Sequence, residues 1–138
     1  MKSKYIYAKG SRKTSVCTLK LWPAPTAGGS KSGTITVNQL PIKKYWPDSL
    51  DAIHYLRPLT LLKASKKFTI QARVSGSGKA AQLQAFTQAL SRALVKLDSK
   101  NRSILKSAGL LTRDSRMKER RKAGLAQSAR AKKQSPKR

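Results

Sequence analysis

The stretch FTIQARVSGSGKAAQLQAFTQALSRALVKL, residues 68–97, holds two different periods side by side. From Phe68 to Val74 the residues Phe68, Ile70, Ala72 and Val74 alternate with Thr69, Gln71 and Arg73. Period two is the mark of a strand with one face buried. Ser75-Gly76-Ser77-Gly78-Lys79 breaks the pattern. After it, Leu83, Phe86, Leu90, Leu94 and Leu97 recur at steps of three and four, with Ala89 and Ala93 widening the stripe. That spacing predicts a long helix whose apolar side packs closely on a sheet.

Upstream, Tyr5–Tyr7 is a short β-type run, and GSRKTS (residues 10–15) follows as a basic, hydroxyl-rich loop or strand edge. Val16–Trp22 alternates with Cys17, Leu19 and Leu21 on one face, and Thr34–Asn38 points Ile35 and Val37 inward. Both read as half-buried strands. The prolines and glycines between Trp22 and Gly33 make a loop, residues 38–41 a turn, and Trp46-Pro47-Asp48 a second break. Asp48 or Ser49 caps an expected short helix with Leu50, Ile53 and Leu56 on one side, His54 at its surface and Pro58 at its end. Leu59–Leu62 is ambiguous by period. Downstream, a short helix is expected from Asn101 to Ser107, stopped by Gly109 as a left-handed cap, and another from near Asp114 to Gly124. Strands and helices do not alternate strictly. The fold class is therefore α+β, a single small sheet backed by helices. We expect residues 1–109 to form a globular α+β body and residues 110–138 an extended basic C-terminal tail.

Charge says what the chain meets. Of 31 Lys and Arg, 14 lie between Lys100 and Arg138 beside two of the five acids, and the formal net charge of the whole chain is +26. The first 99 residues hold the other 17 bases and three acids, so the body is basic too. Such an excess attracts polyanions at distance, and the tail has too few apolar residues to fold by burial. A lone Cys17 forbids an internal disulfide and fits a reducing compartment; its alternating context reads as core. His54 is the only histidine, and no Cys, His and carboxylate cluster has metal-ligand spacing, so no metal and no acid–base pair is expected. No run resembles a signal peptide or reaches membrane-spanning length. The chain reads as cytoplasmic, and an organelle-encoded or processed chain would read the same.

The glycine turn invites a nucleotide reading and fails its tests. A P-loop needs glycine where Arg73 stands and Ser or Thr where Ala80 follows Lys79. Gly76, Gly78 and Ala81 fit a dinucleotide fingerprint, but the acid at the right distance, Asp98, ends a helix rather than a strand. No cofactor and no small-molecule substrate are expected. The turn still offers free N–H groups, a dipole end and the charge of Lys79 to a backbone phosphate, or it is a tight connection only.

Several stretches together resemble one family, the ninth protein of the small ribosomal subunit in its bacterial type. They are Gly10, Arg12, Lys13, Thr14 and Val16; Val37-Asn38 with Pro41 and Tyr45; and residues 74–78 with Gln82 and Ala85. Further on come Arg92-Ala93-Leu94; Leu111-Thr112-Arg113-Asp114 with Arg116, Glu119-Arg120, Lys122 and Gly124; and the ending Lys137-Arg138. Each is weak alone, and their order and spacing are specific. The resemblance implies a left-handed βαβ crossover, shared with one domain of elongation factor G, against the usual handedness. It implies a structural constituent of the subunit head, bound to small-subunit rRNA among neighbouring head proteins. Its tail would reach P-site tRNA with Lys137 and Arg138. Departures from the family pattern are Ser11 for an arginine, Ser77 and Ala81 for glycines, a longer Trp22–Gly33 loop, and Ser135 and Pro136 for an aromatic and a serine.

Folded RNA is read mostly through backbone and shape, and arginine holds phosphate with a planar fork. The expected rRNA ligands are Arg12, Lys13, Lys79, Arg113, Arg116, Arg120, Arg121, Lys122, Arg130, Lys132 and Lys133. Glu119 is expected to pair with an arginine. Two other classes fit part of the pattern: a non-specific nucleoid- or chromatin-type binder, which the basic tail fits and the patterned body does not, and a nucleotide-using enzyme at Gly76–Lys79, which lacks acidic partners.

Overall fold

The alternation at 68–74 becomes the middle strand of the sheet. In the computed structural model, which describes residues 5–23, 33–64, 68–125 and 128–131, the strands are β1 (Ile6–Arg12), β2 (Ser15–Pro23), β3 (Ile35–Val37), β4 (Leu40–Pro41) and β5 (Phe68–Ser75). Four helices accompany them: α1 (Ile42–Tyr45), α2 (Ser49–Leu61), α3 (Lys79–Leu97) and α4 (Asn101–Ser107). The five strands form one sheet in the order β1-β2-β5-β3-β4. β1, β2 and β5 pair antiparallel, β3 pairs parallel to β5, and β4 pairs antiparallel to β3.

Register explains the core. Ile6, Leu21, Ile70 and Ile35 fall in one row across the sheet, Ala8, Leu19, Ala72 and Val37 in the next, and Gly10, Cys17 and Val74 in a third. All but Ile6 are buried, and α3 lies over these rows with Phe86, Ala89, Leu90, Ala93 and Leu94 fully inside. Gly10 is where the layers come closest: a Cβ there would sit 2.2 Å from the Ala85 carbonyl oxygen and 2.6 Å from the Ala89 nitrogen. Only glycine admits that approach. Trp46 plugs one end of the core against Tyr45, Tyr55 and Phe86, with ring centroids 4.8–6.2 Å apart.

Asn38 extends the short β3. It turns at φ +48°, a left-handed conformation asparagine tolerates, and its side chain exchanges two hydrogen bonds with the backbone of Val74 at 2.9 and 3.0 Å. The helix at 101–107 ends as expected. Gly109 takes φ +73°, the Leu110 amide donates to the Leu105 carbonyl and the Gly109 amide to Lys106, the two bonds of a Schellman cap.

Five expectations need correction. Pro58 does not end α2, which runs on to Leu61; the ring is buried beside Tyr55 and Leu59, and that packing outweighs the amide missing opposite the His54 carbonyl. Leu50 and Ile53 do not face inward but are 71 % and 65 % exposed. α2 instead turns Tyr55, Pro58 and Leu59 to the core, with Ala52 and Leu56 beside them, a stripe at the same spacing that carries the larger ring. Leu97 lies at the end of α3 and is exposed rather than part of its buried stripe. The turn at 38–41 narrows to Asn38-Gln39, since Leu40–Pro41 pairs as β4, and the single turn of α1 follows it unannounced. No helix runs from Asp114 to Gly124. Cations three and four apart there repel, no apolar stripe exists to bury, and the Asp114 carboxylate is drawn to arginines.

Candidate nucleic-acid interface

The tip of the β1–β2 hairpin gathers both motifs of the sequence. Lys13 and Thr14 make the turn, Lys13 at φ +51° and exposed. Gly76, at φ +79°, packs so close that a Cβ would lie 2.4 Å from the Thr14 carbonyl oxygen. The Gly76 carbonyl accepts from the Ser15 hydroxyl at 2.8 Å and from Gln82 Nε2 at 3.0 Å, and Gln82 Oε1 accepts from the Tyr45 hydroxyl. The glycine turn is thus pinned by α1, α3 and β2 together. Ser77 holds φ +49° without being glycine, and Gly78 precedes α3 with no side chain capping the helix. Lys79 stands exposed on its first turn.

From the same tip the arm departs. Leu110 and Leu111 lie against the core, and Arg113 Nε donates to Ser11 Oγ at 2.9 Å. The Arg12 side chain is only 13 % exposed among its partners: Nε donates to Gln84 Oε1 at 2.8 Å, Nη1 to the Arg116 carbonyl at 2.7 Å, and Nη2 meets Asp114 Oδ2 at 2.9 Å. Asp114 also takes the Arg116 guanidinium on both oxygens and the Arg116 amide. The bonds from Arg116, then the charges of Arg116 and Arg12, hold its carboxyl well below the usual carboxylate range. Ser11 serves here as acceptor for Arg113.

Farther out, Gly124 turns at φ +78°, the Lys122 amide donates to the Ser128 carbonyl, and Arg130 grips Glu119 with two nitrogens. That pairing, expected for Glu119, lowers its carboxyl below the ordinary value. Arg120, Arg121 and Lys122 are exposed along this loop. Lys132, Lys133, Lys137 and Arg138 lie outside the described residues, as do Ser135, Pro136 and most of the Trp22–Gly33 loop.

The family model described as ribosomal protein S9/S16 matches residues 10–138. The chain belongs to the ribosomal protein S9/S16 family. It is 40 % identical to the small ribosomal subunit protein uS9 of Lawsonia intracellularis over 138 residues, the full length of both chains. Against the uS9 of Maridesulfovibrio salexigens it is 43 % identical over 124 residues, 90 % of each chain. Against that of Methylacidiphilum infernorum it is 41 % identical over 119 residues, 86 % of this chain and 82 % of the other. It is a ribosomal protein of the small subunit, a structural component rather than an enzyme.

This S9-family chain also presents cations that the linear pattern did not single out. Arg92 and Lys96 on α3 face Arg102 and Lys106 on α4 across a cavity of about 450 Å³ floored by Val95 and Leu111. Arg92 and Lys96 reach over the edge of β1 to the carbonyls of Lys9 and Tyr7, both at 2.8 Å. The i, i+4 spacing within each pair was visible; that the two helices bring the pairs together was not. All five acids of the S9-family chain lie off the strands, at 48, 51, 98, 114 and 119, and the two in the arm are paired with arginines.

Proposed function

We propose that the chain binds rRNA in the head of the small subunit through a body of residues 1–109, with residues 110–138 as a tail threaded into RNA. The observation that carries this reading is a family match continuing through the basic arm to residue 138. In the proposal Lys13, Lys79, Arg113, Arg116, Arg120, Arg121, Lys122, Arg130, Lys132 and Lys133 hold rRNA phosphates. Arg12 joins them with the N–H groups left over from its three protein partners. Lys137 and Arg138 donate to backbone phosphates of P-site tRNA, contacts without a base code that suit any tRNA. Neighbouring head proteins complete the surroundings, in a ribosome of the cytoplasm as the bacterial relatives suggest. The left-handed crossover belongs to the same reading; the parallel β3–β5 pair, joined through α1 and α2, is the connection that would carry it.

Two measurements test this. After a high-salt wash and a sucrose gradient, the protein should stay with the small subunit, because shape-specific contacts survive where charge alone is screened; release to the top of the gradient would overturn rRNA docking. Subunits carrying a chain that ends at Pro136 should assemble normally yet lose P-site tRNA faster than wild type. Equal off-rates would remove the tRNA role and leave the rRNA role standing.

A further inference from the structure

Among the described residues, helices cover one side of the sheet, and the other side carries a pattern of its own. Register places Tyr7, Lys20, Gln71 and Thr36 in one row of that open face, with Lys9, Thr18 and Arg73 in the next. Tyr5 and Tyr7 are 46 % and 47 % exposed. The Tyr5 ring lies 5.6 Å from that of Trp22, and Lys20 Nζ sits 5.0 Å from the Tyr5 centroid. A concave cavity of about 640 Å³ opens over this face, bounded on one side by the Asn38-Gln39 turn. Among the described residues no strand contains an acid, so the cations here have no counter-charge on the strands.

We propose that this open face binds an unpaired RNA segment, with bases stacked on Tyr7 and on the Tyr5–Trp22 pair and phosphates held by Lys9, Lys20 and Arg73. The proposal rests on the rRNA-binding reading and adds a second surface, away from the hairpin tip and the arm. Rings exposed among cations point to a single strand rather than a duplex, because an A-form duplex keeps its base faces inside its own stack. The charge of the face selects a polyanion. The flanking amides of Gln39 and Gln71 offer donors and acceptors to base edges without demanding one sequence.

The test uses the full-length chain with a fluorescein-labelled RNA decamer of adenosine, a blunt RNA duplex of equal length, and a transcript of the small-subunit head rRNA. Wild type should bind the single strand more tightly than the duplex at moderate salt. Tyr7→Thr, an exposed exchange suited to a strand, should weaken the single strand about tenfold and leave duplex binding unchanged, while Tyr7→Phe retains it. Equal affinity for strand and duplex, or no loss in Tyr7→Thr, would overturn the platform. A wild-type measurement covers the case of a misfolded variant: photocrosslinks from a 5-iodouridine decamer should map to Tyr5, Tyr7 or Trp22. Crosslinks confined to residues 110–138 would refute the proposal. Binding to the head transcript separates the two readings, since tight docking without the single-strand preference sinks the platform alone, and no preference for the transcript over the RNA duplex sinks both.

Discussion

Gly10 sits in the most basic motif of the body, yet its own role is steric. A methyl group there meets the backbone of α3 at Ala85 and Ala89, where no side chain can swing aside. Gly10→Ala should therefore cost about 3 kcal/mol or more of stability, at the upper end of overpacking effects, measurable by urea unfolding. Asp114 makes a different kind of prediction. Its carboxyl is held down mainly by hydrogen bonds from Arg116, so the clasp on Arg12 is present above the unfolded value of about 3.9 and is lost as pH falls through the lower folded value. In an NMR titration the Asp114 carboxyl carbon should move only below the range where an ordinary carboxylate titrates; a midpoint near 4 would mean that the clasp is open in solution. Cys17 was readable as core from alternation alone, and burial pushes its thiol up to about 12. The sense of Ser11 was not readable, because its partner Arg113 lies 102 residues away.

At the scale of elements, periodicity carried β2, β3, β5 and α3 well, since each buries one face against a single layer. It failed where two stripes compete. Leu50 and Ile53 offered α2 one apolar face, while Tyr55, Pro58 and Leu59 offered another, and contact with Trp46 and α3 decided between them. Ile53→Gln should consequently shift stability by no more than about 0.5 kcal/mol, and Leu59→Ala should cost roughly 2–5 kcal/mol, in thermal melts of the isolated protein. Strand order was beyond the reach of local pattern, because pairing β5 with β2 on one side and β3 on the other is a matter of long-range register. The cation groove between α3 and α4 was hidden for the same reason: its halves became neighbours only once the helices were placed.

Over the whole molecule, charge was legible from composition, and the family match runs through the basic residues 110–138. Removing residues 118–138 takes away nine of the 31 Lys and Arg and one acid. If the seven of them that precede Lys137 and Arg138 each hold one rRNA phosphate, the slope of log affinity for rRNA against log salt should fall in magnitude by roughly 5–6, read from binding at a series of salt concentrations. A slope that stays put would mean that the arm is not on RNA. The clasp of Arg12, Asp114 and Arg116, with Leu110 and Leu111 seated below it, has a kinetic consequence. The root of the arm leaves the body at a fixed point and heading before any RNA arrives. On the proposed rRNA-binding reading, capture of RNA would then proceed as a zipper, each bound phosphate shortening the search for the next, from the root outward.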